Sequence, residues 1–178
     1  MSNMTQRQVI GIRRDIDREK AVEVLLYVTK TVPDMYTALK VIYFADRIHL
    51  EKYGRLIYRD RYVALAHGPV PSVAYDIVKG ADGYPGVSAR ARGSECFSMS
   101  GYSISGRRTP DLEFLSESDI ECLDAAIREY GSKSFDFLKN KSHDAAWRSA
   151  DPNDNISIEA LARSLKGGED LLEHIGNG

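Results

Sequence analysis

An α+β domain, predominantly α-helical with a small β-hairpin or sheet element, is the fold this sequence predicts. Apolar residues recur at helical spacing in several segments with recognisable caps, and two short segments alternate in polarity across a Ser-Gly pair. A chain of 178 residues at 43% hydrophobic content can also bury one sizeable core. The expected organisation is a flexible leader over 1–16, one domain over 17–166 and a mobile tail over 167–178.

Val22, Leu25, Leu26 and Thr29 predict a first helix over 17–31. Pro33 interrupts it, and Asp34 suits the N-cap of a second helix over 35–53, because its carboxylate can accept an otherwise orphaned N–H of the first turn. Apolar residues occupy two faces of that helix, which predicts a central, mostly buried element, and Gly54 suits a left-handed C-cap. Leu56-Ile57-Tyr58 and Tyr62–Ala66 are predicted extended, with helix left open for the second. His67-Gly68-Pro69-Val70-Pro71 is expected to form a corner and open a helix to Lys79, since a proline costs nothing where a helix start has no N–H partner.

Gly80–Gly93, with four glycines and one proline, is expected as a loop. Cys96–Met99 and Tyr102–Ser105 then predict a β-hairpin across Ser100-Gly101. Ser116-Glu117-Ser118-Asp119, followed by Ile120, Leu123, Ile127 and Tyr130, predicts a helix with a capping-box start that stops at Gly131. Shorter helices are expected over 135–139 and 143–148, with a last one around Ile158–Leu165.

Net charge is −2, against a globally basic nucleic-acid binder, but it is unevenly spread: residues 52–108 sum to +5 and residues 109–178 to −8. Such polarity is compatible with steering a charged partner or with solvated surfaces that happen to segregate. Cys96 and Cys122 have neither disulfide-motif nor metal-ligand spacing and are expected as ordinary buried thiols in a cytoplasmic protein. No apolar run is long enough to span a membrane. The zinc-protease, P-loop and dinucleotide-binding patterns are absent, and Ser105 replaces the second glycine of a nucleophile elbow at Gly101–Ser105. No enzyme activity, cofactor or metal is expected.

Asp46 and His49 share a helix face, and His67 lies where the chain returns, so the three could form a carboxylate–imidazole cluster for hydrolysis. The plainer reading has Asp46 capping a backbone group or pairing an arginine while the imidazoles satisfy buried carbonyls. His143 and Trp147, four apart, are expected to pack together. Arg55, Arg59 and Arg61 interleave with Tyr53, Tyr58 and Tyr62, and Arg90, Arg92, Arg107 and Arg108 surround the hairpin. That composition fits phosphate and base contacts, and equally the anchors of a protein interface.

Taken together, Lys40, Tyr43, Ala45, Asp46, His49, Leu50, Tyr53, Gly54 and Arg55, then Tyr62, Ala64, Gly68-Pro69-Val70-Pro71 and Tyr75, then Leu115-Ser116 and the segment from Ser142-His143 to Trp147, resemble the Panacea antitoxin domain, also called the SocA-like domain. The resemblance spans about residues 20–150 and is most specific in the long helix and the Gly-Pro-Val-Pro segment. It implies a mainly helical domain from bacterial, phage or prophage genomes, encoded beside a protein toxin that commonly blocks translation and that the domain neutralises by direct binding. A ClpXP-type protease is a further partner it implies. On this reading Tyr53, Arg55, Tyr58, His67, Pro69 and Tyr75 contact the toxin, while Asp46, His49, Gly54, Gly68, Val70 and Pro71 form a structural motif. A nucleic-acid-binding or mobile-element regulatory protein, a proteolytic adaptor and a small hydrolase remain as alternatives.

Overall fold

A 19-residue helix lies in the core of the described residues, and several helices and a β-strand pack against it. The computed structural model describes residues 15–84 and 88–176. The expected leader apart from Asp15 and Ile16, the loop residues 85–87 and the last two tail residues lie outside the described residues.

Helix α1 (Arg18–Thr29) starts where the Asp17 carboxylate accepts the Lys20 N–H at 3.0 Å. Helix α2 (Met35–Tyr53) has the predicted bounds. Asp34 accepts the Thr37 N–H at 2.8 Å, and Gly54 ends the helix in the left-handed region at φ +74°. Every residue from Thr37 to Asp46 is buried, including Lys40 and Asp46, as expected for an element packed on all sides.

Strands β1 (Tyr62–Leu65) and β2 (Gly68–Pro71) form an antiparallel hairpin closed by Ala66 and His67. The Gly-Pro-Val-Pro segment is therefore a strand, where a turn and helix start were expected. Two prolines are tolerated because β2 is an edge: the sheet order is β2-β1-β5, with β5 (Asn155–Ile156) on the far side of β1. Helix α3 (Ser72–Ala81) begins directly after Pro71.

The expected loop over 80–93 also differs, since helix α4 (Ser88–Cys96) occupies its second half. Gly93 is needed there for close approach, because a Cβ built on it would collide with the Ile77 carbonyl of α3. The hairpin forms as β3 (Phe97–Ser100) and β4 (Ser103–Gly106), one residue later than the alternation suggested. It is sewn to the α1–α2 connection by Met35 N–H to Tyr102 O at 2.9 Å and Ile104 N–H to Pro33 O at 2.8 Å.

After a 3₁₀ turn at Leu112–Phe114, helix α5 (Glu117–Tyr130) opens on the reciprocal Ser116–Asp119 capping box. Gly131 does follow it, but at φ −62°. Its lack of a side chain matters for room instead, since a Cβ would lie 3.1 Å from Val32 Cγ2. Helices α6 (Phe135–Ser142), α7 (Ala145–Ser149) and α8 (Ile158–Arg163) each open on a side-chain cap, from Ser134, Asp144 and Ser157.

The stretch expected as a tail carries a ninth helix among the described residues, α9 (Gly168–Gly176). Its Leu171, Leu172 and Ile175 pack against the core, and His174 comes beside Gly54. Leu25, Tyr58, Tyr62, Ile77, Phe97, Leu123 and Leu138, each almost without exposure, share one core cluster with the buried residues of α2. No described helix is long and apolar enough to cross a membrane.

Candidate partner-binding site

Most of the polar residues singled out in the sequence turn inward. The Lys40 ammonium is buried and donates to the Pro69 carbonyl at 2.7 Å, fastening β2 to α2. Gly68 makes that approach possible, because a Cβ on it would collide with Ser142 Oγ and come within 3.0 Å of Lys40 Nζ. Trp147 donates from its indole N–H to the Leu65 carbonyl at 2.9 Å, and its ring stacks on His143 with centroids 3.8 Å apart. The hairpin is thus held from α2, α6 and α7.

Two buried carboxylates organise the other side. Asp46 accepts the Ile57 N–H at 2.7 Å and the Tyr62 hydroxyl at 2.6 Å. Burial raises its pKa to about 6, with those two donors pulling the other way. Asp60 accepts from the N–H groups of Val73, at 2.9 Å, and Ala74, at 3.1 Å. These are first-turn donors of α3, whose N-cap Pro71 has no side-chain acceptor, so Asp60 caps the helix from a distance. Burial also raises the Asp60 pKa. The buried Tyr58 hydroxyl lies beside these carboxylates, and burial together with the Asp60 and Asp46 charges pushes its pKa well above the ordinary value.

A third network joins α1, α2 and α5. His49 Nδ1 donates to the Arg55 carbonyl at 2.9 Å, while Nε2 lies 3.0 Å from Ser118 Oγ and 3.3 Å from Asp119 Oδ1. Asp119 also takes Lys20 at 2.5 Å and Arg55 at 3.1 Å. Burial would raise its pKa, but the His49, Lys20 and Ser116 contacts prevail and hold it well below the usual carboxylate range.

The carboxylate–imidazole cluster that the sequence left open as an alternative is therefore not assembled. Asp46 and His49 are buried with structural partners, and exposed His67 sits at the hairpin tip. The expected interleaving of arginines and tyrosines is also broken, because Tyr58 and Tyr62 are each only 1% exposed. Arg55 is tied to Asp119, Arg92 faces Glu19 at 3.5 Å, Arg108 is bound by Glu23 at 2.6 Å, and Arg107 Nε donates to the Phe97 carbonyl. The Arg90 side chain lies outside the description.

The six residues expected to touch a partner do not form one patch. Tyr58 and Pro69 are buried. Tyr53, 45% exposed, and Arg55 sit at the C-terminal end of α2, where the Tyr53 hydroxyl donates to Glu121 at 2.5 Å. His67 sits at the other end, its carbonyl accepting the Tyr36 hydroxyl at 2.9 Å. From Tyr36 to Tyr53 the helix climbs about 25 Å at its usual rise. Tyr75 is half-buried under Lys79, whose ammonium lies 4.6 Å from the ring centroid.

What surrounds His67 was not anticipated. Phe135 stands 46% exposed at the start of α6, with its ring centroid 4.5 Å from Tyr36 and 5.3 Å from His67. Phe137, two residues on, is 42% exposed. The signal was present in Ser134-Phe135-Asp136-Phe137, where a capped helix start carries two phenylalanines that cannot both face inward. The result is an exposed aromatic corner on a frame held by buried hydrogen bonds, a form suited to protein recognition. Among the described residues no cluster of His, Cys, Asp and Glu could hold a metal ion, and both cysteines are buried and free.

The profile of the antitoxin SocA-like, Panacea domain family matches residues 39–148, more than half of the chain. The chain belongs to this Panacea family. The match runs from within α2 into α7 and so contains the hairpin, the His67, Phe135 and Phe137 rings and the polar networks apart from Lys20, while Tyr36 lies just before it. Searches of curated proteins and of solved structures return no match. The residues of α2 and of the Gly-Pro-Val-Pro segment on which the resemblance rests are for the most part those that hold the hairpin and α5 to α2, so in this structure they form a frame more than a contact surface.

Proposed function

We propose that this chain is an antitoxin that neutralises a protein toxin, encoded nearby, by forming a direct complex with it. The observation that carries the reading is the exposed His67–Phe135 pair within the Panacea-matched region, packed on the half-buried Tyr36 just before it. Aromatic side chains on a pre-ordered frame bury large areas with little loss of freedom, which is how a small domain obstructs another protein's active site. The Tyr53–Arg55 end of α2 is a second contact region on this reading, subordinate because its polar groups already serve Glu121 and Asp119.

Co-expression with the product of the adjacent reading frame tests the proposal. A stable co-purifying complex together with restored growth is the expected result. Failure of the chain to rescue growth or to bind the adjacent product overturns it.

A further inference from the structure

Many cations of this molecule are spent on its own carboxylates. Lys20 is held by Asp119, Lys52 by Glu121, Arg47 by Asp144 and Arg108 by Glu23. The α6 region departs from that pattern. Among the described residues, Lys133, Lys139 and Lys141 make no ion pair, and the one acid within their stretch is Asp136. The next acid, Asp144, is already engaged by the Tyr43 hydroxyl at 2.6 Å, the Trp147 N–H at 3.0 Å and Arg47 at 3.3 Å.

These lysines flank the exposed rings. Lys133 Nζ lies 5.1 Å from the Phe137 ring centroid, while Lys139 and Lys141 follow Phe135 and Phe137 by one helical turn. On the inner side, His143 keeps its pKa below the ordinary value through burial and the charges of Lys139, Lys40 and His67, a sign of net positive surroundings. The corner is therefore apolar at its rings and positive around them.

We infer that this face receives a protein partner whose contacting surface is acidic around an apolar centre; the inference rests on the neutralisation reading above. The rings supply buried area, and the unpaired lysines steer approach and disfavour neutral or basic surfaces, whose docking would desolvate them without compensation. Nucleic acid is the poorer occupant. Stacking needs free aromatic faces, and the Phe135 ring already packs on Tyr36 and His67 while Lys133 lies over Phe137.

The test measures association with the adjacent toxin at low and high salt for the wild-type chain and for the combined Lys133→Glu, Lys139→Glu and Lys141→Glu variant. Lys30→Glu with Lys166→Glu, two exposed lysines away from both contact regions, serves as the control, and thermal melts verify folding. The expected result is a fall in the association rate of about tenfold or more at low salt for the α6 variant, with loss of the wild-type salt dependence and little change in the control. Equal rates and salt slopes in wild type and the α6 variant, with growth still rescued, overturn this inference and leave the neutralisation reading standing. Absence of both rescue and complex in the wild type overturns the two together. Binding of a single-stranded oligonucleotide that the α6 variant loses, with toxin association unchanged, also overturns it.

Discussion

Gly68 and Ser142 pack so closely that no side chain fits between them, and Gly68 holds φ +110°. Both conditions exclude a β-branched residue. Gly68→Val is expected to cost a few kcal/mol, lowering the melting temperature by roughly 5–15 °C for a chain of this size. Gly68→Ala should fall between the two. A melting temperature equal to wild type for the valine variant would show that the hairpin can leave Ser142 and Lys40 at no cost.

Asp60 stands in for the capping side chain that Pro71 lacks, by accepting the Val73 and Ala74 N–H groups. Asp60→Ala orphans both donors in a buried place and is expected to cost about 1–3 kcal/mol. Asp60→Asn keeps one acceptor oxygen and should lose less. Chemical denaturation of the two variants reads the difference directly, and equal losses for Ala and Asn would remove capping as the reason.

How much of this was legible follows from where each signal lies. The bounds of α2 could be read because both ends are punctuated locally, by Asp34 and by Gly54. The Gly-Pro-Val-Pro strand could not, since proline excludes a central strand and only the tertiary position of β2 at a sheet edge admits it. Gly93 looked like a loop glycine because the α3 backbone that demands it, at Ile77, belongs to the preceding helix and is out of view of any local pattern. Tyr58 looked like a surface tyrosine beside Arg59, whereas distant packing around Asp46 and Asp60 decides its burial. The i, i+2 spacing of Phe135 and Phe137 says locally that one ring must face outward, but that both are exposed depends on which elements leave α6 uncovered.

Lys40 makes stability depend on pH in a defined window. Burial lowers its pKa from the ordinary 10.5 to about 7, so between those values the folded state holds fewer protons than the unfolded state. Stability should therefore rise with pH from about 7 to 10, by at most about 1.4 kcal/mol per unit for one proton. Asp46 acts lower down: with its pKa raised from 3.8 to about 6, the folded state holds more protons there, and stability should fall as pH rises through that range. In Lys40→Met the alkaline rise should flatten while the Asp46 window persists. Denaturation series that show the same alkaline slope in both proteins would mean Lys40 stays protonated in its site.

The two ends of α2 make opposed predictions for partner binding. Phe135 and His67 touch one another at the N-terminal end and spend no polar side-chain group in holding the fold, so truncating Phe135 removes partner contact area and only the edge packing on Tyr36 and His67 from the fold. Phe135→Ala should weaken the toxin complex by about 1–4 kcal/mol, mainly through faster dissociation, with little change in the melting temperature. At the other end the Tyr53 hydroxyl is engaged by Glu121, as is Lys52, so Tyr53→Ala should cost less affinity and some stability. The paired measurement is dissociation kinetics alongside a thermal melt for each variant. A complex that tolerates Phe135→Ala but fails with Tyr53→Ala would move the contact surface about 25 Å along α2, to the face where His174 of α9 approaches Gly54.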